Sequence, residues 1–245
     1  MEHLGDIQNI DDLHRNLQRV KSDCRQMSRP FVLVSYAQSI DGSIATKDRQ
    51  PLKISGQNSM VLTHRLRSFF DGILIGIETV LTDNPELTVR LVQGKNPQPV
   101  VLDTHLRIPV ESRLLNRSEC RSWLVSAKDN SDARADAVRR TGATVLPCEL
   151  DDHGQIDIHR LMGLLHNRGI CSLMVEGGAK VITSFIRAEL VDLFIITIAP
   201  SLIGGLSVLR EYNESPLSRL NLTNIHYERL GDDLILWAKP VWKSS

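Results

Sequence analysis

A strand that turns into a helix through two adjacent glycines restricts the architecture of this chain more than any other stretch. Leu173, Met174 and Val175 form a short apolar run that reads as a buried strand. Val181, Ile182, Phe185, Ile186 and Leu190 then recur at helical spacing. Between them lies Glu176-Gly177-Gly178. Such a junction leaves backbone N–H groups bare at the positive end of the helix dipole, which suits a phosphate. Lys180 adds a charge nearby, and Glu176 falls at the carboxyl end of the strand, where open α/β sheets place their ligands. A tight packing turn with a solvated Glu is the plain alternative, because two glycines alone are a weak motif.

The rest of the chain alternates in the same way. Apolar runs at 31–37, 71–77, 99–103, 122–126, 143–146 and 192–199 read as strands. Helical spacing is found at 11–25, 58–70, 129–140 and 157–168, with Asp11 as a candidate cap for the first. Residues 78–90 read as a loop, and 222–238 as a β-hairpin turning at Gly231. No low-complexity linker or repeat interrupts the order. The expectation is an N-terminal helical arm over 1–28 and one α/β domain over 29–245. That domain would hold a mixed, mostly parallel sheet with helices on both faces and a C-terminal hairpin.

Composition sets several function classes aside. Charged residues are 24% of the chain and sum to zero formal charge, so there is no electrostatic case for nucleic acid or an anionic membrane surface. No apolar run reaches the roughly 20 residues that span a bilayer, and the N-terminus lacks a basic region followed by an apolar core. The four cysteines are scattered without a Cys-x-x-Cys pair, so no zinc or other metal site is expected. Reduced thiols in a cytoplasmic protein are the corresponding expectation. There is no Gly-x-Gly-x-x-Gly, no triphosphate-binding loop and no Gly-x-Ser-x-Gly elbow. His64, His105, His153, His159 and His226 read as surface residues. What remains is a set of strand ends rich in small and polar residues: 37–42, 79–83, 103–104, 126–128 and 176–179. Together they suit one crevice for an extended phosphorylated cofactor.

Those segments carry a resemblance. The residues are Ala37-Gln38-Ser39-Ile40-Asp41-Gly42, Leu66-Arg67, the run from Asp71 through Thr79, Asp83, Pro85 and Leu87 to Arg90, Val101-Leu102-Asp103, Glu176-Gly177-Gly178, and Ile198 to Gly204. In this order and spacing the chain resembles the pyrimidine reductases of riboflavin biosynthesis, over about residues 30–240. The resemblance implies a dihydrofolate-reductase-like fold, NADPH as cofactor, a phosphorylated pyrimidine as substrate and a homodimer. It implies hydride transfer to C1′ of a ribosylamino group, giving the ribityl chain. Bacterial members often fuse this domain to a zinc deaminase with His-x-Glu and Pro-Cys-x-x-Cys signatures. His226-Tyr227-Glu228 matches the first only in isolation and no Pro-Cys-x-x-Cys occurs, so a stand-alone reductase is expected.

The resemblance also implies roles by position. Ala37, Thr79, Asp83, Thr104, Gly177, Gly178, Ala179, Lys180 and Val181 would bind cofactor, with Lys53 where relatives carry a Trp. Thr104, His105 and Lys128 are candidates for the 2′-phosphate. Ser55, Arg67, Leu87, Arg90 and Glu176 would face substrate, the two arginines at its 5′-phosphate, because the guanidinium fork donates two parallel hydrogen bonds. Asp41 and Glu176 are candidate proton donors, although Asp-Gly is also a common turn pair. Pro51 and Lys53 depart from the family pattern, as does Asn84 where a second Asp is common. Those departures leave room for a reductase of the same fold acting on a pterin, a folate or another small carbonyl or imine. A catalytically silent nucleotide-binding protein is the non-enzymatic alternative, against which Thr79, Asp83, Arg90 and Glu176 stand.

Overall fold

The computed structural model describes residues 5–48, 52–117, 119–130, 132–209 and 220–242. Pro51 lies outside them. The helices are α1 (Ile10–Ser22), α2 (Gln57–Phe69), α3 (Ile77–Asp83), α4 (Asp132–Arg140), α5 (Ile158–His166) and α6 (Ala179–Arg187). The strands are β1 (Phe31–Ser39), β2 (Ser43–Ala45), β3 (Gly72–Gly76), β4 (Gln98–Leu102), β5 (Trp123–Ala127) and β6 (Thr144–Cys148), followed by β7 (Ser172–Val175), β8 (Leu193–Ala199), β9 (Leu206–Ser207), β10 (Asn221–Leu230) and β11 (Asp233–Val241).

Among the described residues, nine strands form one sheet in the order β10-β11-β8-β1-β7-β3-β4-β5-β6. The run from β8 to β6 is parallel throughout, and β11 pairs antiparallel with both β8 and β10. β2 and β9 make a separate small pair. Successive side chains of a strand point to opposite faces, so a parallel strand covered on both sides must be apolar at every position. The first four residues of β1 meet this condition: Val32 and Val34 pack with Leu161 of α5 and Phe185 of α6 on one face. Phe31 and Leu33 pack with Leu13 and Leu17 of α1 and Leu66 of α2 on the other. Farther along that second face, Ile73 and Ile75 meet Ile77 and Val80 of α3 and Val138 of α4. The expected mixed, mostly parallel sheet, helices on both faces and C-terminal hairpin are all present. No helix among the described residues is long and apolar enough to cross a membrane.

Three local expectations are corrected. Asn9, not Asp11, caps α1: its side chain accepts from the N–H groups of Asp11 and Asp12. The segment after β3 is not all loop, since 77–83 makes two turns of helix that bury Ile77 and Val80. Asn84 stops it in the left-handed conformation at φ 41°, which short polar side chains tolerate best. The four thiols are not all reduced, because the fold brings Cys24 and Cys171 into a disulfide with Cα atoms 5.5 Å apart.

That disulfide joins the segment after α1 to the residue before β7. Neighbouring polar contacts reinforce the join. Asp71 accepts from the Cys171 and Ser172 N–H groups at 3.2 and 3.0 Å and from Ser172 Oγ at 2.8 Å, and it pairs with Lys21 of α1 at 2.9 Å. At the other end of the sheet, buried Asp233 accepts from Gly56 N at 2.8 Å and Ser59 Oγ at 2.5 Å. The hairpin therefore holds the start of α2. A crosslink that closes a loop of 147 residues limits the unfolded chain strongly. Cys24→Ser is expected to lower stability by about 2–4 kcal/mol, roughly 5–15 °C in Tm. Thermal unfolding of the variant and of wild type with and without reductant checks this; identical melts in all samples would contradict it.

Candidate active site

β7 lies between β1 and β3, so the Glu176-Gly177-Gly178 junction opens at the centre of the sheet's carboxyl edge. The two glycines serve different ends. A Cβ on Gly177 would sit 2.5 Å from Val181 Cβ, so this position is glycine to let α6 turn back against its own strand. A Cβ on Gly178 would meet nothing nearer than Thr79 Oγ1 at 3.9 Å. Gly178 is the N-cap of α6 and supplies no side-chain cap, so the first-turn N–H groups of Ala179, Lys180 and Val181 have no capping side chain. Thr79 stands opposite them on α3. Ala37 lies near the end of β1 and Thr104 just beyond β4, both half-buried, on the same edge of the sheet. The Thr104 carbonyl is held by Ala127 N at 3.0 Å and Asn130 Nδ2 at 2.8 Å. Buried Asp103 beside it accepts from the N–H groups of Arg107 and Ile108 and so shapes the Thr104 loop. An open helix N-terminus between Thr79 and these strand ends fits the pyrophosphate and ribose of a nicotinamide dinucleotide.

Arg67 and Glu176 meet across the crevice. Arg67 Nε donates to Oε1 at 2.7 Å and Nη2 to Oε2 at 2.6 Å, with the two side chains 12% and 15% exposed. Nη1 donates to the Thr88 carbonyl at 3.2 Å. Burial works against the guanidinium charge, and the Glu176 charge and hydrogen bonds more than restore it, so the Arg67 pKa is raised. Three of its nitrogens are thus committed to protein acceptors. Beside this pair opens a cavity of about 420 Å³, lined by Arg67, Arg90 and Arg113 with Asp83, Asn84 and Leu87 among others. Arg113 carries no signal in the local sequence. Its N–H donates to Asn84 Oδ1 at 2.9 Å, and its guanidinium sits 3.4 Å from Glu86 with 63% of the side chain exposed. The Asn84 departure therefore has a local use. The Leu87 side chain is buried with those of α3 and α4, although the residue borders the cavity.

Both candidate proton donors are committed to protein partners, Glu176 to Arg67 and Asp41 to a turn. Asp41 accepts from Ser39 Oγ, from Ile203 N at 3.0 Å, from Gly204 N at 2.7 Å and from Ser43 Oγ at 2.9 Å. The Ser39 bond first, then the two backbone bonds, hold its carboxyl far below the usual carboxylate range. It clamps a turn to the 203–204 loop and is unsuited to donating a proton. Asp83, in the cavity wall, has its carboxyl raised by partial desolvation. Lys53 is exposed and Ser55 half-buried in the segment before α2. Lys128 pairs with Glu149 at 3.1 Å and His105 is exposed. His64 is a correction. It is fully buried, and its Nδ1 accepts from Arg90 N at 3.1 Å. A lone His inside an amphipathic helix carries no mark distinguishing it from a surface one.

The RibD C-terminal domain family model matches residues 30–236. The chain is 33% identical over 222 residues to an Archaeoglobus fulgidus protein named 2,5-diamino-6-ribosylamino-4(3H)-pyrimidinone 5′-phosphate reductase, covering 86% of this chain and 98% of that protein. It is 31% identical over 217 residues to the riboflavin biosynthesis protein RibD of Aquifex aeolicus, covering 86% of this chain but only 58% of that longer protein. Among solved structures, the Saccharomyces cerevisiae riboflavin biosynthesis reductase Rib7 aligns with a TM-score of 0.72 at 28% identity, covering 94% of this chain and 100% of that one. Acinetobacter baumannii RibD shares the fold with a TM-score of 0.78 at 21% identity, over 95% of this chain and 64% of that one. With most of its length matched by the family model and a third of the aligned residues shared with a relative it spans almost end to end, the chain belongs to the RibD C-terminal domain family of riboflavin-biosynthesis reductases.

Proposed function

We propose that this chain reduces the ribosylamino group of a 5-amino-6-ribosylaminopyrimidine 5′-phosphate to the ribitylamino form with NADPH. One observation carries the reading: an uncapped helix N-terminus and an arginine-lined cavity adjoin through Glu176. Gly178 to Val181 would hold the cofactor pyrophosphate on backbone N–H groups, while Thr79, Asp83, Thr104 and Ala37 would line its course along the strand ends. Bound there, the nicotinamide cofactor supplies the hydride. The sugar opens as its C1′–O4′ bond breaks and the exocyclic nitrogen passes its proton to O4′. Hydride then adds to C1′ of the resulting imine, and a proton goes to nitrogen. This chain's residues contribute position and charge. Because Arg67 is spent on Glu176, Arg90 and Arg113 are the cavity cations that would receive the 5′-phosphate. Arg67 acts by neutralising and orienting Glu176 toward the substrate. His105 and Thr104 remain the candidates for the 2′-phosphate, with Lys128 drawn toward Glu149.

The arm over 1–28 and the reductase domain over 29–245 form the proposed division, with α1 docked on the domain. A homodimer is part of the same reading, supported by exposed Ile225 and Tyr227 on the edge strand β10. The direct test is NADPH consumption by the purified protein with the ribosylamino pyrimidine phosphate. No turnover with that substrate in the folded protein would defeat the proposal.

Variants test its parts. Gly178→Ala has room in the fold, yet its methyl would stand where the pyrophosphate must approach. It is expected to keep the wild-type melt and weaken NADPH binding about tenfold or more, by loss of at least about 1.4 kcal/mol. Gly177→Ala forces a clash with Val181 and is expected to cost about 1–3 kcal/mol of stability instead. Cofactor titration and melting of both proteins check this; the reverse assignment of effects would refute it. In the cavity, Arg90→Ala is expected to raise the substrate KM about 10- to 100-fold through a lost charge-assisted contact of about 1.5–3 kcal/mol. Arg113→Ala should act more weakly, because its guanidinium is already drawn toward Glu86. Arg67→Ala should destabilise the fold by roughly 3 kcal/mol, since it leaves Glu176 buried without its partner. Steady-state kinetics with and without the 5′-phosphate, together with melts, separate these roles. Arginine variants that stay as sensitive to the missing phosphate as wild type would remove Arg90 and Arg113 from it.

A further inference from the structure

We propose that His64 is a positioning residue for the proposed phosphate-binding arginine: its Nδ1 takes the Arg90 backbone N–H and sets where the Arg90 guanidinium enters the cavity. The inference rests on the substrate role of Arg90 proposed above and adds what aims it.

α2 places His64 and Arg67 three positions apart, so both reach the same neighbouring segment. That segment, 84–90, has no regular secondary structure and borders the cavity. Its backbone is nevertheless fixed in three consecutive residues by three side chains. Arg67 Nη1 donates to the Thr88 carbonyl at 3.2 Å. Val89 N donates to Asn96 Oδ1 at 2.7 Å, and Arg90 N donates to His64 Nδ1 at 3.1 Å. Only the last contact acts on the arginine itself. Without it, the Arg90 N–H would need another acceptor and the long exposed side chain would leave the cavity from a less defined root.

The imidazole is poorly explained by packing. His64 is fully buried, and its Nε2 is enclosed without a hydrogen-bond partner among the described residues. An enclosed polar atom without a partner is unfavourable, and an aliphatic side chain would avoid it. The gain lies at Nδ1, which offers a lone pair in a form that does not add charge beside two arginines. Burial first, then the Arg67 and Arg90 charges, hold the His64 pKa down at about 4 against the opposing pulls of Glu176 and the Thr88 backbone. The ring is therefore neutral near pH 7, with Nδ1 as acceptor and the proton on Nε2.

The test uses three substitutions at one position. His64→Asn puts Oδ1 one atom beyond Cγ, where Nδ1 was, and keeps the acceptor. His64→Gln keeps polarity but carries its oxygen one atom farther out, and His64→Leu removes polarity altogether. Substrate and cofactor kinetics are measured for each, alongside Arg90→Ala, with the 5′-phosphorylated substrate and its dephosphorylated analogue. His64→Leu and His64→Gln are expected to raise KM for the phosphorylated substrate about tenfold, equivalent to about 1.4 kcal/mol, with kcat and NADPH affinity near wild type. His64→Asn is expected to recover most of that loss, and the dephosphorylated analogue to show little difference among the proteins. Should His64→Leu fail to fold, His64→Gln and His64→Asn still form the contrast. Equal KM values for Asn and Gln variants, or an equal loss on both substrates, would overturn the inference. So would an Arg90→Ala protein with wild-type KM beside an impaired His64→Gln protein, since His64 would then act by another route. Wild-type KM in both Arg90→Ala and His64→Gln would defeat the phosphate role of Arg90 and this inference together.

Discussion

The Arg67–Glu176 pair is the interaction on which the candidate site depends. A guanidinium and a carboxylate, each mostly buried, are tolerable only because they face one another in a two-pronged hydrogen bond. The pair joins α2 to the end of β7, and through Thr88 it also reaches the segment that carries Arg90. Three pieces of chain far apart in sequence thereby become one wall of the crevice. The same commitment changes what Arg67 is able to do. A guanidinium engaged with Glu176 and Thr88 has only two of its five N–H groups left, which is why the phosphate role is proposed mainly for Arg90 and Arg113.

Remote parts of the fold hold this arrangement in place. Asp233, in the C-terminal hairpin, takes the N–H of Gly56 and the hydroxyl of Ser59 and so fixes where α2 begins. Asp71, Lys21 and the Cys24–Cys171 disulfide fix where β7 begins. The two elements that carry Arg67 and Glu176 are therefore anchored at their far ends. Such anchoring matters for a reaction in which side chains supply orientation, because small displacements of a bound carbon and its hydride donor cost rate steeply.

Much of the fold was legible in the residues. Runs such as 31–34 and 193–196 are apolar at every position, as strands covered on both faces are, so the parallel sheet followed from them. The Gly231 turn with its alternating flanks marked the hairpin. Segment 77–83 was missed because its helix is two turns long and has only Ile77 and Val80 on its buried face, too short a sample for periodicity to register. The disulfide was missed because its cysteines lie 147 positions apart, and spacing of that length carries no information about proximity.

Within the site, local chemistry determined the residue types and tertiary structure decided their duties. Sequence by itself established the Gly177-Gly178 junction, the arginines at 67 and 90 and the strand ends that gather at one edge, because turn chemistry and hydrophobic periodicity are local. It could not divide Gly177 from Gly178, since one answers to Val181 in the next turn and the other to open space beside Thr79. Nor could it distinguish buried His64 from a surface histidine, assign Asp41 to a loop clamp, or add Arg113 to the cavity. Each of those facts is a pairing or a vacancy between distant segments, and hydrogen bonds, burial and charge act through space, whatever the separation along the chain.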